Sequence, residues 1–415
     1  MNQSHKRVLV HLPAPPSPAD TGSKRRVLGI LKYFRERQKY FLVDAVSNND
    51  FGKTAWNQAE KTETLKFVNN LFIYENGQNL LDFLYSRSQS FYYQKLLRQQ
   101  LPIDSDYFTP PGFVSFVREL VSQQAYDVIL INYIEFAHLV TKLNYLESRI
   151  AIDIHDLSSQ MRLVKQKNFS LSQGLKFDYE SSLISEAELL NKFDAVLVNS
   201  EKEKTILSSH ISTKKLHLVP HPIEDNSQSV PKRYAYSHRP FKYDLLFVGS
   251  AYRPNVEGIN FFLTSILPSI IAQKPDIRLA IAGTVTESIE IEKALANNIV
   301  CLGYVSDLAE LYLSSKLFIC PLIDGAGTKV KLLEAMSYAL PIVTTSVGAS
   351  GLNLTHATNA FIIDDPTIYA CQILRLLDDP KLAEQTSSEV AETFATHYSN
   401  LAIYSKLDHI FGISP

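Results

Sequence analysis

The chain has 415 residues, 45% of them apolar, which is room for two or three domains with full cores. A formal charge of -2 gives no general pull toward nucleic acid or an anionic membrane. Three cysteines, Cys301, Cys320 and Cys371, lack metal-ligand spacing and are too few for a disulfide framework.

Cys301 and Cys320 sit inside apolar runs and read as buried thiols of a reducing compartment. No apolar leader opens the sequence and no run reaches membrane-spanning length, so a cytoplasmic protein is expected.

Arg7–Leu12 reads as a first buried strand. A proline-rich loop, Pro13–Pro18, leads through Ala19-Asp20-Thr21-Gly22-Ser23 to Lys24-Arg25-Arg26, and Leu28, Leu31 and Phe34 continue at helical spacing. A loop with one glycine thus feeds a helix N-terminus, where doubly wound domains handle anionic groups. The basic triplet equally fits a solvated helix start with at most one side chain turned inward. Tyr40–Val46 and Leu65–Tyr74 read as the next strands. Segment 78–125 is mostly helical, with an aromatic and basic run that includes Phe83, Tyr85, Arg87, Phe91, Tyr92 and Lys95. Aromatics at this density read first as core; the alternative is contact with a lipid-linked acceptor or a membrane surface.

Asp104-Ser105-Asp106 is a triplet of the kind that holds a metal in one transferase class, but loop carboxylate pairs are common and it is set aside. Asp127–Asn132 and Arg149–Asp156 are further apolar strands, the second ending in His155-Asp156 at the carboxyl edge where open α/β sheets bind ligands. Helices are expected at 157–169 and 172–192, then a strand at Asp194–Asn199, a capping box at Ser200–Glu203 and a short strand at Leu216–Pro220. Residues 221–242 read as a linker between a first domain, 1–220, and a second, 243–395. The second opens with the strand Tyr243–Ser250 and a helix started by Arg253-Pro254-Asn255. It continues with strands at Ile277–Gly283, Ile299–Gly303, Leu317–Leu322, Pro341–Thr345 and Phe361–Asp364, then helix from 366 to 413. Regular β/α alternation in both halves predicts an α/β protein of two Rossmann-like doubly wound domains.

The most informative stretch is Gly325-Ala326-Gly327-Thr328-Lys329-Val330-Lys331-Leu332-Leu333-Glu334-Ala335-Met336, set between two apolar strands. Strand, glycine loop and helix bring free N–H groups and a helix dipole to a sheet edge, which favours phosphate. Gly327, Lys331 and Glu334 are spaced to share one helix face. A lysine suits a phosphate, and a carboxylate can accept both hydroxyls of a ribose. Spacing alone fits equally an exposed Lys331–Glu334 ion pair worth a few tenths of a kcal/mol, roughly.

This run, with Leu340-Pro341-Ile342-Val343-Thr344-Thr345-Ser346-Val347-Gly348-Ala349-Ser350-Gly351-Leu352 after it, resembles the nucleotide-sugar site of GT-B retaining glycosyltransferases of family four. The strand-then-His-Asp order and the Pro-rich loop with Gly22 resemble the same family. The resemblance implies two Rossmann-like domains facing across a cleft, with the C-terminal helix at 396–415 packing back on the first. It also implies transfer from a nucleotide-diphosphate sugar to a saccharide, lipid-linked or other hydroxyl acceptor, with retention and without a metal or other cofactor. His155, Asp156, Arg253 and Lys331 take the catalytic roles. Gly22, Ser250, Arg253, Val305, Gly325, Gly327, Thr328, Lys329, Lys331 and Glu334 bind the donor, with backbone near Val305 meeting the base. One departure matters: where many members carry two glutamates separated by seven residues, the first position here is Ala326, so only Glu334 is carried over. No nucleic acid is expected; a peripheral contact with the inner membrane face is the further expectation. A nucleotide-sugar epimerase on the same frame and a non-catalytic two-domain binding protein are the competing readings.

Overall fold

The computed structural model describes residues 5–19, 21–48, 56–75, 80–143, 147–163, 176–223, 236–325 and 327–413. The expected helical residues 164–169 and 172–175, most of the linker, Asp20 and Ala326 therefore lie outside the described residues. The chain divides into two compact units, one formed by residues 1–222 with 404–415 and the other by residues 223–403.

The first unit is built on strands β1 (Lys6–Leu12), β2 (Phe41–Asn48), β3 (Asn70–Tyr74), β4 (Val128–Asn132), β5 (Arg149–Asp153), β6 (Ala195–Val198) and β7 (Leu216–Leu218). They form one sheet in the order β3-β2-β1-β4-β5-β6-β7, every pair parallel. The strands are near-continuous Val, Ile, Leu and Ala because helices cover both faces, so alternation would leave polar groups in the core. Val8, Leu9, Ile129, Leu130, Ile152 and Val196 are buried accordingly. Strand order reverses between β1 and β4, which opens a crevice at their carboxyl ends.

Residues 404–413 close this unit on the helix Gly22–Glu36. Asp408 accepts from Arg37 and from the Tyr33 hydroxyl, and the Lys6 ammonium caps the last carbonyls, Phe411 O and Gly412 O. A cation at helix-terminal carbonyls is the favoured arrangement.

Two expectations change here. The third strand starts at Asn70 rather than Leu65, because an Asn57–Glu60 capping box nucleates the short helix Gln58–Thr64, which runs through a turn into the strand. The run 80–97 is not core: Leu81 is 76% exposed and Phe91 59%. The one buried residue of the helix Leu80–Ser90 is Asp82, whose carboxylate accepts the Tyr74 hydroxyl and the Gly112 N–H. A polar anchor holds this helix and leaves its apolar side chains outward.

The second unit carries β8 (Tyr243–Val248), β9 (Leu279–Ala282), β10 (Ile299–Gly303), β11 (Ser315–Cys320), β12 (Ile342–Thr344) and β13 (Phe361–Ile362), parallel in the order β10-β9-β8-β11-β12-β13. Its switch point lies between β8 and β11. Cys320 is buried as expected, but Cys301 is exposed because β10 is the sheet's edge. Contrary to expectation, Arg253–Gln273 is long and apolar enough by composition alone to cross a membrane. Its apolar residues Ile259, Phe262, Leu263, Ile266, Leu267 and Ile270 are instead buried in this unit's core.

Candidate functional site

In the second unit the loops after β8 and β11 meet at the switch point. Two glycines allow close packing around it, Gly283 in the loop after β9 and Gly258 in the helix after β8. Gly283 has φ +99, and a Cβ there would lie 2.1 Å from Gly249 O; a Cβ on Gly258 would lie 3.0 Å from Pro321 O. The β11 loop turns through Gly325 (φ +131) and Gly327 (φ +74) into the helix Val330–Ser337. Because the helix starts at Val330, Gly327 stays in the loop and does not share the face of Lys331 and Glu334, a correction to the spacing argument.

Lys331 donates to Asn255 Oδ1 and stands 4.6 Å from the Phe247 ring centroid. The Asn255 amide nitrogen in turn donates to Ser250 O at 3.0 Å. A line of hydrogen bonds therefore joins the β8 loop to the helix after β11. Loss of hydration lowers the Lys331 pKa to about 8, and the neighbouring Lys329 charge adds to the effect. Lys329 is buried and donates to Gly327 O at 2.7 Å, so a second ammonium group, close enough to act on Lys331, stands at the glycine loop.

Glu334 accepts from the Tyr312 hydroxyl at 3.2 Å, and Tyr312 stacks on Tyr338 with centroids 5.0 Å apart. Arg253 is the exposed first residue of its helix, its Nε donating to Glu257 at 2.6 Å. Val305 packs at the end of β10 against the cluster that contains Tyr312 and Leu332. The structure thus gathers Ser250, Lys329, Lys331 and the glycine loop, while Val305 follows the edge strand. In the sequence Asn255 reads only as part of a helix opening; its place two residues after Arg253 is the available signal. Nothing in the sequence pointed to Tyr312.

In the first unit, His155 follows β5 with φ +60 and is buried. Its ring stacks on Tyr133 at 4.1 Å and 9°, and Tyr133 itself has φ +66. Nε2 lies 2.9 Å from Asn132 Oδ1, and the Asn132 amide nitrogen donates to His11 O. Nε2 therefore carries the proton, and Nδ1 is a buried acceptor without a hydrogen-bond partner among the described residues. Burial lowers the His155 pKa to about 4, so the ring is neutral at physiological pH.

Beneath it, Arg26 Nε donates to both Asp153 oxygens at 2.9 and 2.7 Å, and Arg26 Nη1 donates to Val219 O. Of the basic triplet, Arg26 is the buried member. Burial is the largest influence on the Asp153 pKa and would raise it; the Arg26 charge and hydrogen bonds together with the neighbouring His155 outweigh that and hold it below the usual carboxylate range. Asp153 Oδ1 also accepts the His155 N–H.

Asp156 is half-buried at the next turn, where the backbone N–H groups of Leu157, Ser158 and Ser159 donate to Glu203 and Glu186. Protein carboxylates, both with pKa raised to about 7 by burial, thus occupy this helix start. Gly22 opens its helix behind the cap Thr21. The Asp104–Asp106 loop serves structure: Asp106 accepts from Tyr85 and Lys142, and His138 meets Asp104 O.

Residues 242–379, the bulk of the second unit, match the family model described as glycosyl transferases group 1. Together with the two parallel sheets this defines the fold: an α/β chain of GT-B type whose second unit is similar to the group 1 glycosyl transferases. A Klebsiella pneumoniae protein, "Uncharacterized 44.6 kDa protein in cps region", is 25% identical over 313 residues, covering 71% of this chain and 76% of its own. Among solved structures, Anabaena HepE in complex with UDP and glucose aligns with TM-score 0.63 and 15% identity over 98% of this chain and 100% of its own. TarM, also solved from S. aureus in a complex with UDP, aligns with TM-score 0.67 and 14% identity over 98% and 99%.

Proposed function

We infer that this chain moves a sugar from a nucleoside diphosphate to a hydroxyl of a saccharide or lipid-linked acceptor, with retention at the anomeric carbon. The observation that carries the reading is the Ser250–Asn255–Lys331 line, which fixes an ammonium beside a glycine loop at the second sheet's switch point. As the sugar departs, negative charge gathers on the β-phosphate and positive charge on the anomeric carbon. Lys331, Lys329, Arg253 and the amides around Gly325, Gly327 and Thr328 stabilise the phosphate charge without a metal.

Glu334 takes the ribose hydroxyls, and the backbone near Val305 meets the base. Ser250 and Gly22 lie along the diphosphate. His155 and Asp156 act near the sugar; the neutral ring serves as a hydrogen-bonding group rather than a charge. No side chain is assigned as a covalent nucleophile, and the leaving phosphate helps deprotonate the acceptor.

UDP is the proposed nucleotide because HepE and TarM were both solved with it. Polysaccharide, glycolipid or other glycoconjugate synthesis is the proposed setting. The cytoplasm is the proposed location, in keeping with three free cysteines.

The test is a thermal-shift screen of UDP, GDP, ADP and their sugars, followed by product analysis. Stabilisation by UDP and its sugars and an acceptor product of unchanged anomeric configuration are expected. An epimerised nucleotide sugar formed from donor alone would establish the epimerase reading, and tight binding without turnover across acceptors the binding-protein reading.

A further inference from the structure

Eight of the fifteen large apolar side chains exposed among the described residues fall within residues 80–97. Leu80, Leu84, Arg87 and Phe91 follow one another at four, three and four residues, one stripe of a helix that continues into the π-helical turn Phe91–Leu96. An open cleft of about 670 Å³, lined by Leu81, Leu84, Tyr85 and Pro111, separates this helix from the start of the next, so the stripe is not folded into the body. Exposed apolar patches of this kind mark contact surfaces.

The charge on the patch says what it contacts. Its cations are Arg87, Lys95 and Arg98, all exposed, with the Arg87 guanidinium 5.3 Å from the Phe83 ring centroid. Its one acid, Asp82, is buried and engaged by Tyr74 and Gly112. A surface that is locally cationic on a chain of net charge -2, with aromatic and leucine side chains between the cations, matches the headgroup layer of an anionic bilayer. The long basic stems lie along apolar surface and keep their charges at the headgroups. A second copy docking face to face would instead bring the three cations against their own counterparts.

We propose that residues 80–98 dock this chain on an anionic phospholipid bilayer. The proposal stands independently of the transfer reaction and gives it a setting in which a lipid-linked acceptor is presented.

The test is sedimentation of the full chain with vesicles of phosphatidylcholine alone or with ~30% phosphatidylglycerol. Binding at least about tenfold tighter to the anionic vesicles is expected. The triple variant Arg87→Gln, Lys95→Gln, Arg98→Gln should lose that margin. The triple variant Leu81→Ser, Phe91→Ser, Leu96→Ser should lose binding to both, with melting temperatures unchanged. Since Trp56 is the sole tryptophan and is buried, Leu96→Trp supplies a reporter that does not disturb the core, and its emission should shift to the blue on anionic vesicles alone. Equal binding to both vesicles, or a silent Trp reporter, would overturn the proposal. A dimer in light scattering that the apolar variant dissolves, with no vesicle binding, would replace the bilayer with a second copy.

Discussion

The ammonium of Lys331 donates to Oδ1 of Asn255 at 2.5 Å, while the nitrogen of the same amide donates to Ser250 O. The amide is held at both ends, so it can point only its oxygen at the lysine. Asn255→Ala should therefore raise the donor KM about tenfold and lower kcat as well, since one charge-assisted hydrogen bond is worth roughly 1.5–3 kcal/mol and Lys331 also meets the charge that develops on the leaving phosphate. An unchanged KM would show that the lysine needs no such support.

Lys331 should matter more than Lys329, whose ammonium already serves Gly327 O. Lys331→Ala is expected to weaken donor binding more than Lys329→Ala in equilibrium titrations. The lowered Lys331 pKa also sets a pH dependence with a definite sign: the ammonium is charged below about 8 and neutral above it. Donor affinity should be full at pH 7 and fall as pH rises through that value. Lys331→Arg should flatten the profile, because a guanidinium keeps its charge. A slope that persists in the arginine variant would assign it to another group.

Glu334 is half-buried and accepts from Tyr312, which orients its carboxylate. Glu334→Ala should abolish transfer through lost donor binding while the melting temperature holds. Unchanged donor KM would refute a ribose-binding role. Tyr312→Phe should give a milder rise in the same constant.

The Arg26–Asp153 pair has both side chains fully buried. Arg26→Met should destabilise the protein by about 3–5 kcal/mol, because it leaves Asp153 charged and unpaired in the core. Urea unfolding measures this. A loss under about 1 kcal/mol would mean that Asp153 protonates or finds water instead. Pairing the change with Asp153→Leu should recover much of the loss, and the double variant would then report what the pair does for His155.

The sheets were legible because buried parallel strands are written as long apolar runs, as in Val128–Asn132 and Leu317–Cys320. The glycine loop was legible because few other contexts need two glycines ahead of Thr328-Lys329-Val330-Lys331. What escaped was set by tertiary partners. Aromatics from Phe83 to Tyr92 carry no mark that says which way a helix faces; that was decided by Asp82 bonding to Tyr74 and Gly112. Arg26 could not be told from Lys24 and Arg25 until Asp153 lay beneath it. Cys301 looked like core because an edge strand is as apolar as a central one along part of its length. Glu186 gave no signal and Glu203 read only as part of a helix cap, since what they hold, the backbone of residues 157–159, is brought to them only by the fold.

The central claim is that the second unit holds a nucleoside diphosphate at its switch point through Lys331 and the Gly325–Gly327 loop. A crystal structure of the chain with a non-transferable UDP-sugar tests it most directly. The account predicts diphosphate oxygens within hydrogen-bonding reach of Lys331 Nζ and the loop amides, with the ribose on Glu334. A diphosphate bound elsewhere, with Lys331 still turned to Asn255 alone, would contradict it.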